Sequence, residues 1–178
     1  MRELIISKKN INIIFLVFGL FLVPTFLEHL INLGDYKQFV IGTIVNLALI
    51  NVSLTKRNKK TIILLSFMPS LATMFSGLLF SGLNFYSKVM IPFIWAGNLS
   101  LIYVNKYLNI DKDKNYFISA LVSLLIKVLI IYGGFIIISN ALSFPLVVKN
   151  TLNLSMGLYQ IITGLLAIFI YKIFVKHK

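Results

Sequence analysis

The sequence predicts an all-α membrane protein, a six-transmembrane-helix bundle with both termini in the cytoplasm. Apolar residues make up 58% of the 178 residues and charged residues only 12%, with a mean hydropathy of +0.92. This composition excludes an ordinary soluble globule. The apolar residues also fall into stretches of roughly 16 to 23 residues, about the length that crosses a hydrocarbon core. Basic residues lie between these stretches, as they do beside membrane spans.

Six apolar stretches are the predicted spans of a single integral membrane domain that covers residues 1–178. They run over 11–27, 39–54, 61–80, 90–108, 117–139 and 151–171. The first stretch follows two lysines, as in a signal peptide, but lacks a small-residue cleavage site, so a retained span is predicted. The second is short, so we expect it to tilt little or to thin the bilayer locally.

The basic residues predict the orientation, because Lys and Arg beside span ends favour the cytoplasm. Of the 17 Lys and Arg residues, thirteen lie in the N-terminal arm, the second and fourth connections and the tail. The alternate connections hold only Lys37, Lys88 and Lys149, and Lys127 lies inside the fifth span. The excess of 17 basic over 5 acidic residues therefore orients the chain in the bilayer, and no nucleic-acid partner is expected.

Polar side chains near the middle of the spans predict either a binding pocket or hydrogen bonds between helices. Asn46, Ser70, Asn98, Lys127 and Gln160 come from five different spans at similar depth. Helical spacing adds further residues to the same faces: Gln38 beside Asn46, Trp95 beside Asn98, and Asn153, Met156 and Thr163 beside Gln160. The candidate substrate-binding residues are Gln38, Asn46, Asn84, Trp95, Asn98, Lys127, Asn153 and Gln160.

Lys127 is the most informative of these residues, because a lysine near the bilayer centre costs roughly 2.5–3.5 kcal/mol even on the lenient insertion scale. Its partner is a cluster of amides and carbonyls, water, or an anionic ligand, unless the side chain extends towards the cytoplasmic interface. The amides either bond between helices or line a pocket. Trp95 either stacks on a ligand or packs against other side chains.

The sequence lacks the catalytic and nucleotide-binding motifs of known enzyme classes, so no enzyme is predicted. The sequence has no HExxH motif, no paired acidic residues within a span and no GxxxxGK[ST] phosphate-binding loop. With no cysteine and with His29 and His177 predicted on opposite sides, no metal site and no cofactor are expected. Any ATP must therefore be hydrolysed by a partner.

Three motifs carry a family resemblance: QFVIGTIVN at 38–46, MPS at 68–70 and PFIWAGN at 92–98. Together they resemble the small six-span substrate-binding S components of energy-coupling factor (ECF) transporters, in particular an uncharacterised branch of them. The resemblance implies a subunit of an ATP-driven importer that captures a vitamin or related micronutrient from the extracellular side. It also implies docking on a transmembrane coupling protein with two ATPases. The family's small-residue AxxxA docking pattern is absent from the first span, which offers only Gly19.

Two other classes of function stay open. One is an accessory or scaffold membrane subunit without a small-molecule ligand, and the other is a stand-alone facilitator. For a binding subunit, the resemblance places the ligand site in the outward halves of the second, fourth, fifth and sixth spans and in the first and third connections. The outward N-termini of three of these helices, together with Lys127, favour a carboxylate or phosphate on the ligand.

Overall fold

The computed structural model describes residues 36–55, 58–76 and 84–174, and its regular secondary structure in these ranges is helical throughout. The first predicted span, 11–27, lies outside the described residues, as do the side chains of residues 37, 72–76 and 84. The described helices are α1 (Lys37–Ser53), α2 (Lys59–Ser76), α3 (Asn84–Lys106), α4 (Tyr116–Ala141), α5 (Leu146–Met156) and α6 (Leu158–Phe174), and a π-helical turn, Tyr107–Asp111, follows α3.

Three helical segments of the described chain are long and apolar enough to cross a membrane: Phe85–Asp111, Tyr116–Ala141 and Leu146–Phe174. They correspond to the fourth, fifth and sixth predicted spans and support a membrane protein. Helix α1 is apolar but shorter, at 17 residues. The all-helical class is therefore confirmed for the described residues, whereas the count of six spans and the side on which each terminus lies stay predictions.

Local sequence signals determine where three of the helices begin. The Asn58 side-chain oxygen accepts a hydrogen bond from the Thr61 backbone N–H at 2.8 Å, and that of Asn115 accepts one from the Phe117 N–H at 2.9 Å. These amides cap α2 and α4, whose first N–H groups have no partner inside the helix. Helix α5 begins directly after Pro145, which cannot donate a backbone hydrogen bond.

The last predicted span is not one continuous helix. It begins earlier than predicted, at Leu146, and is interrupted at Gly157, whose backbone angles are φ −103° and ψ −91°. The glycine lets the chain leave helical geometry for one residue without a side-chain clash. The interruption is confined to this residue, because helical residues lie directly on both sides of it.

Two hydrophobic clusters hold the helices together at opposite ends of the described bundle. The first includes Leu49, Leu101, Tyr116 and Ile168, and joins the ends of α1, α3 and α6 to the start of α4. The second joins the starts of α3 and α5 to the end of α4. Tyr116 also donates a hydrogen bond to the Ile168 backbone oxygen at 3.2 Å. Consecutive helices therefore alternate in direction, apart from α5 and α6, which follow one another.

The first of these ends is rich in lysine, and we call it the basic end. Its lysines are Lys59, Lys60, Lys106, Lys112, Lys114 and Lys172. The Lys172 ammonium lies 5.5 Å from the centre of the Phe117 ring, which places the end of α6 beside the start of α4. The opposite end holds Lys88 near the start of α3 and Lys149 in α5.

Helices α3 and α4 approach closely at glycines. A Cβ atom added to Gly134 would overlap the ring of Phe93, and one added to Gly97 would lie 2.7 Å from the Ile131 side chain. Gly133, the next residue along α4, has no neighbouring atom within 4 Å of such a Cβ. The two adjacent glycines are therefore a matched pair, one at a helix contact and one beside open space.

We expect Gly134→Ala to lower the free energy of unfolding by about 1–3 kcal/mol, because the added methyl group must displace the Phe93 ring from a packed contact. Gly133→Ala is expected to be neutral or to stabilise by up to about 1 kcal/mol, since alanine has the higher helix propensity. Equilibrium unfolding in mixed micelles measures both. Equal effects of the two substitutions would contradict the packing of α3 on α4.

Candidate binding cavity

A cavity of about 100 Å³ lies where all six described helices meet. A single water needs only roughly 10–15 Å³, so this cavity has room for several waters or for a small organic molecule. Its polar lining residues are Gln38, Asn46, Ser70, Asn98, Lys127, Ser155, Gln160 and Thr163. Its remaining lining residues are Ile41, Gly42, Val45, Pro69, Ile94, Met156 and Tyr159.

Helix α1 forms one wall of the cavity. Gln38, Ile41, Gly42, Val45 and Asn46 are spaced at intervals of three and four residues, so they occupy one face of the helix. From Gln38 to Asn46 this face extends about 12 Å, at 1.5 Å per residue. The cavity therefore runs from the first turn of α1 to its middle, along the half that lies away from the basic end.

A chain of hydrogen bonds crosses the deep end of the cavity. The Lys127 Nζ donates to Asn46 Oδ1 at 2.6 Å, and Asn46 Nδ2 donates to Thr163 Oγ1 at 3.1 Å. The Thr163 hydroxyl in turn donates to the Tyr159 backbone oxygen at 2.7 Å. Because the threonine proton is used on the carbonyl, its oxygen accepts from the amide, and the Asn46 carbonyl is turned towards Lys127.

The charge of Lys127 is not balanced within the described part of the chain. Lys127 is only 2% exposed, and the acidic residues of the described ranges, Asp111 and Asp113, are exposed in the connection between α3 and α4 at the basic end. Its hydrogen-bond partner is the neutral amide of Asn46. At an effective dielectric of about 20, a unit charge 4 Å from Nζ would contribute about 4 kcal/mol, attractive or repulsive according to its sign.

The broken segment between α5 and α6 closes the other side of the cavity. The Ser155 hydroxyl lies 3.2 Å from Gln38 Oε1, and Gln160 Nε2 donates to the Ser155 backbone oxygen at 3.3 Å. Gln38 on α1 and Gln160 on α6 both line the cavity. The break at Gly157 thus lies beside the cavity and brings the last turn of α5 and the first turn of α6 to it.

The structure brings five of the eight candidate residues to the cavity: Gln38, Asn46, Asn98, Lys127 and Gln160. Lys127 contacts Asn46 inside the bundle and does not extend along the helix to an interface. Asn98 donates to the Ser66 backbone oxygen at 3.2 Å while also lining the cavity. The amides at this depth therefore serve helix contacts and a shared cavity together.

Trp95 and Asn153 lie outside the cavity, against expectation. Trp95 shares the predicted face with Asn98, but its Nε1 donates to Ser66 Oγ at 3.1 Å and its ring packs edge-on against Phe67. Asn153 accepts a hydrogen bond from the Tyr132 hydroxyl at 2.9 Å on the exposed side of α5. Met156, Gln160 and Thr163 of the same predicted face do line the cavity, so Asn153, about one turn before Met156, lies beyond the part of that face which the cavity reaches. The side chain of Asn84, which starts α3, lies outside the described residues.

Ser155 and Tyr159 line the cavity although the sequence did not identify them. Helical spacing places Tyr159 one turn before Thr163 and Ser155 one turn before Tyr159, so both residues border the predicted face of Gln160 and Thr163. Ser70 and Thr163 also line the cavity, and although both are polar residues of the predicted faces or depth, neither is among the eight candidates.

The cavity offers hydrogen-bond donors and acceptors, one ammonium group and apolar side chains, a combination that suits non-covalent binding of a small molecule. Within 36–55, 58–76 and 84–174, no group of three or more His, Cys, Asp or Glu residues could hold a metal ion. Comparisons with known protein families, with curated proteins and with solved structures found no match.

Substituting Asn46 tests whether its side-chain oxygen provides the hydrogen-bond acceptor for the buried ammonium group of Lys127. We expect Asn46→Ala to lower the free energy of unfolding by about 1–3 kcal/mol, because a buried donor loses its acceptor. Adding Lys127→Met should recover most of that loss, since the charge that needed the acceptor is then gone. A double-mutant cycle in mixed micelles measures the coupling. Additive effects of the two substitutions would contradict the contact.

Proposed function

We propose that the chain is the membrane-embedded substrate-binding subunit of an ATP-driven importer, with a vitamin or a related small micronutrient as its substrate. The observation that supports this proposal best is the cavity to which all six described helices contribute polar or apolar side chains. Buried polar groups in a membrane protein are costly and frequently mark a substrate pathway. Their convergence on one cavity favours binding over scattered structural contacts.

The direction of capture follows from the charge distribution. If the basic end faces the cytoplasm, as the distribution of Lys and Arg favours, the half of the bundle that contains the cavity faces the exterior. A ligand would then enter from outside a cell membrane in which both termini are cytoplasmic. The cavity reaches only to the middle of α1, so release on the other side requires a conformational change.

The energy for import would come from partners. The sequence lacks a phosphate-binding loop for ATP, and the described residues that line the cavity include no acidic side chain that could couple transport to protons or sodium. On the basis of the resemblance to ECF S components, the proposed partners are a transmembrane coupling protein and two ATPases.

A scaffold subunit is the second candidate, and specific contacts favour it. Trp95 with Ser66, Tyr132 with Asn153 and Asn105 with Ser53 all bond between helices away from the cavity. Such bonds contribute about 0.6–2 kcal/mol each in membrane proteins. A scaffold needs these contacts but does not need a cavity to which every described helix contributes.

The proposal predicts a bound small molecule and bound partners. Purified in mild detergent from its own host, the protein should carry a small molecule detectable by mass spectrometry and should co-purify with a membrane protein and two ATPases. Gln160→Ala should lower the ligand occupancy several-fold, because Gln160 lines the cavity. Asn150→Ala, an exposed amide on α5, is the matched control and should leave the occupancy unchanged.

Other results would contradict the proposal. A protein that carries no ligand and no ATPases, and whose cavity variants change only stability, would be a scaffold. Sustained uptake into liposomes that contain this chain alone would identify a facilitator, because the proposed subunit binds its substrate but does not transport it repeatedly without ATPases.

A further inference from the structure

We infer that the cavity binds a small organic monocarboxylate, whose carboxylate group pairs with Lys127 at the deep end. This inference rests on the proposed function in one respect, namely that the cavity holds a ligand. It specifies the chemical class of that ligand from the charges and hydrogen bonds around Lys127.

The sign of the ligand's charge follows from the lining. Lys127 is the only charged residue among the residues that line the described cavity. A cationic ligand would meet a like charge without any carboxylate to offset it. An anion supplies the opposite charge that the buried ammonium lacks in the described ranges, so the electrostatics favour an anionic group.

The hydrogen bonds show where the anionic group would sit. Of the three N–H donors of Lys127, one is used on Asn46 Oδ1, and the other two have no partner among the described residues. Asn46 Nδ2 has a second N–H beyond the one that it gives to Thr163. A carboxylate beside Nζ would therefore find donors for both of its oxygens.

The number of positive groups in the lining and the apolar side chains beside them indicate how much negative charge the ligand carries. A phosphate monoester carries close to two negative charges, whereas the described lining residues offer one ammonium and no arginine. The side chains of Ile41, Val45, Ile94 and Met156 provide apolar surface away from Lys127. One carboxylate on a small apolar body matches both the single positive charge and the apolar walls, and the volume of about 100 Å³ limits the size of that body.

Matched pairs of probes test the class directly. Benzoate and benzamide, and hexanoate and hexanamide, have the same shape but differ in charge, and benzylamine carries the opposite charge. Their dissociation constants are measured by titration calorimetry on the full-length protein in nanodiscs, after bound ligand has been washed out. We expect each acid to bind at least about tenfold more tightly than its amide, and benzylamine to bind most weakly.

Variants of Lys127 assign the preference to that residue. Lys127→Gln keeps a donor for Asn46 but removes the charge, and it should abolish the preference for acid over amide. Lys127→Met should do the same if the glutamine variant does not fold. Lys149→Met is the matched control, because Lys149 bonds to Asn140 at 3.0 Å outside the cavity, and it should keep the preference.

Several outcomes would overturn the inference: equal affinities for acid and amide, tighter binding of benzylamine, no saturable binding of either acid, or a preference that survives the neutral variants. Failure of this inference is separable from failure of the proposed function. Co-purifying ATPases without an acid preference would contradict only the ligand class. An acid preference without any ATPase partner would contradict only the importer.

Discussion

An ammonium group held inside the helices constrains the rest of the structure. Lys127 lies in α4, the most apolar of the three candidate spans with a mean hydropathy of 2.6, and it is 2% exposed. Its contact with Asn46 ties α4 to α1, and the contact of Asn46 with Thr163 ties α1 to α6. A shift of any of these helices by one residue along its axis would leave a buried charge or amide without a partner, which is costly in a low-dielectric interior.

Close packing beside this contact supports the same arrangement. A Cβ on Gly42 would lie 3.0 Å from the Thr163 side chain, so a glycine there allows α1 to approach α6 at the level of Asn46. The two hydrophobic clusters fill the interior towards the ends of the bundle. Between them, the polar residues keep a space that apolar side chains would otherwise fill. The buried polar groups that lower the stability of the middle of the bundle are therefore also the groups that line the cavity, as is common where function competes with stability.

Much of this arrangement could be predicted from particular residues. The depth of Asn46, Asn98, Lys127 and Gln160 along their spans indicated a common layer, because a polar group inside a span must meet another polar group. The helical spacing of Gln38 and Asn46 placed both on one face of α1. The positions of Trp95 and Asn153 could not be predicted in this way, since spacing gives the face of a helix but not the neighbour that covers it. Spacing also does not show how far along a face a cavity extends, and Asn153 lies about one turn before Met156, where the lining of α5 begins.

Accessibility of the cavity to water is the most direct test of the account. The chain contains no cysteine, so single cysteines can be introduced into it. Gln160 and Ser100 are both half-buried, but of the two only Gln160 lines the cavity. In intact cells, a small water-soluble methanethiosulfonate reagent added outside should modify Gln160→Cys and leave Ser100→Cys unmodified. Equal reactivity of the two cysteines, or no reaction at Gln160→Cys, would contradict a cavity open to the exterior.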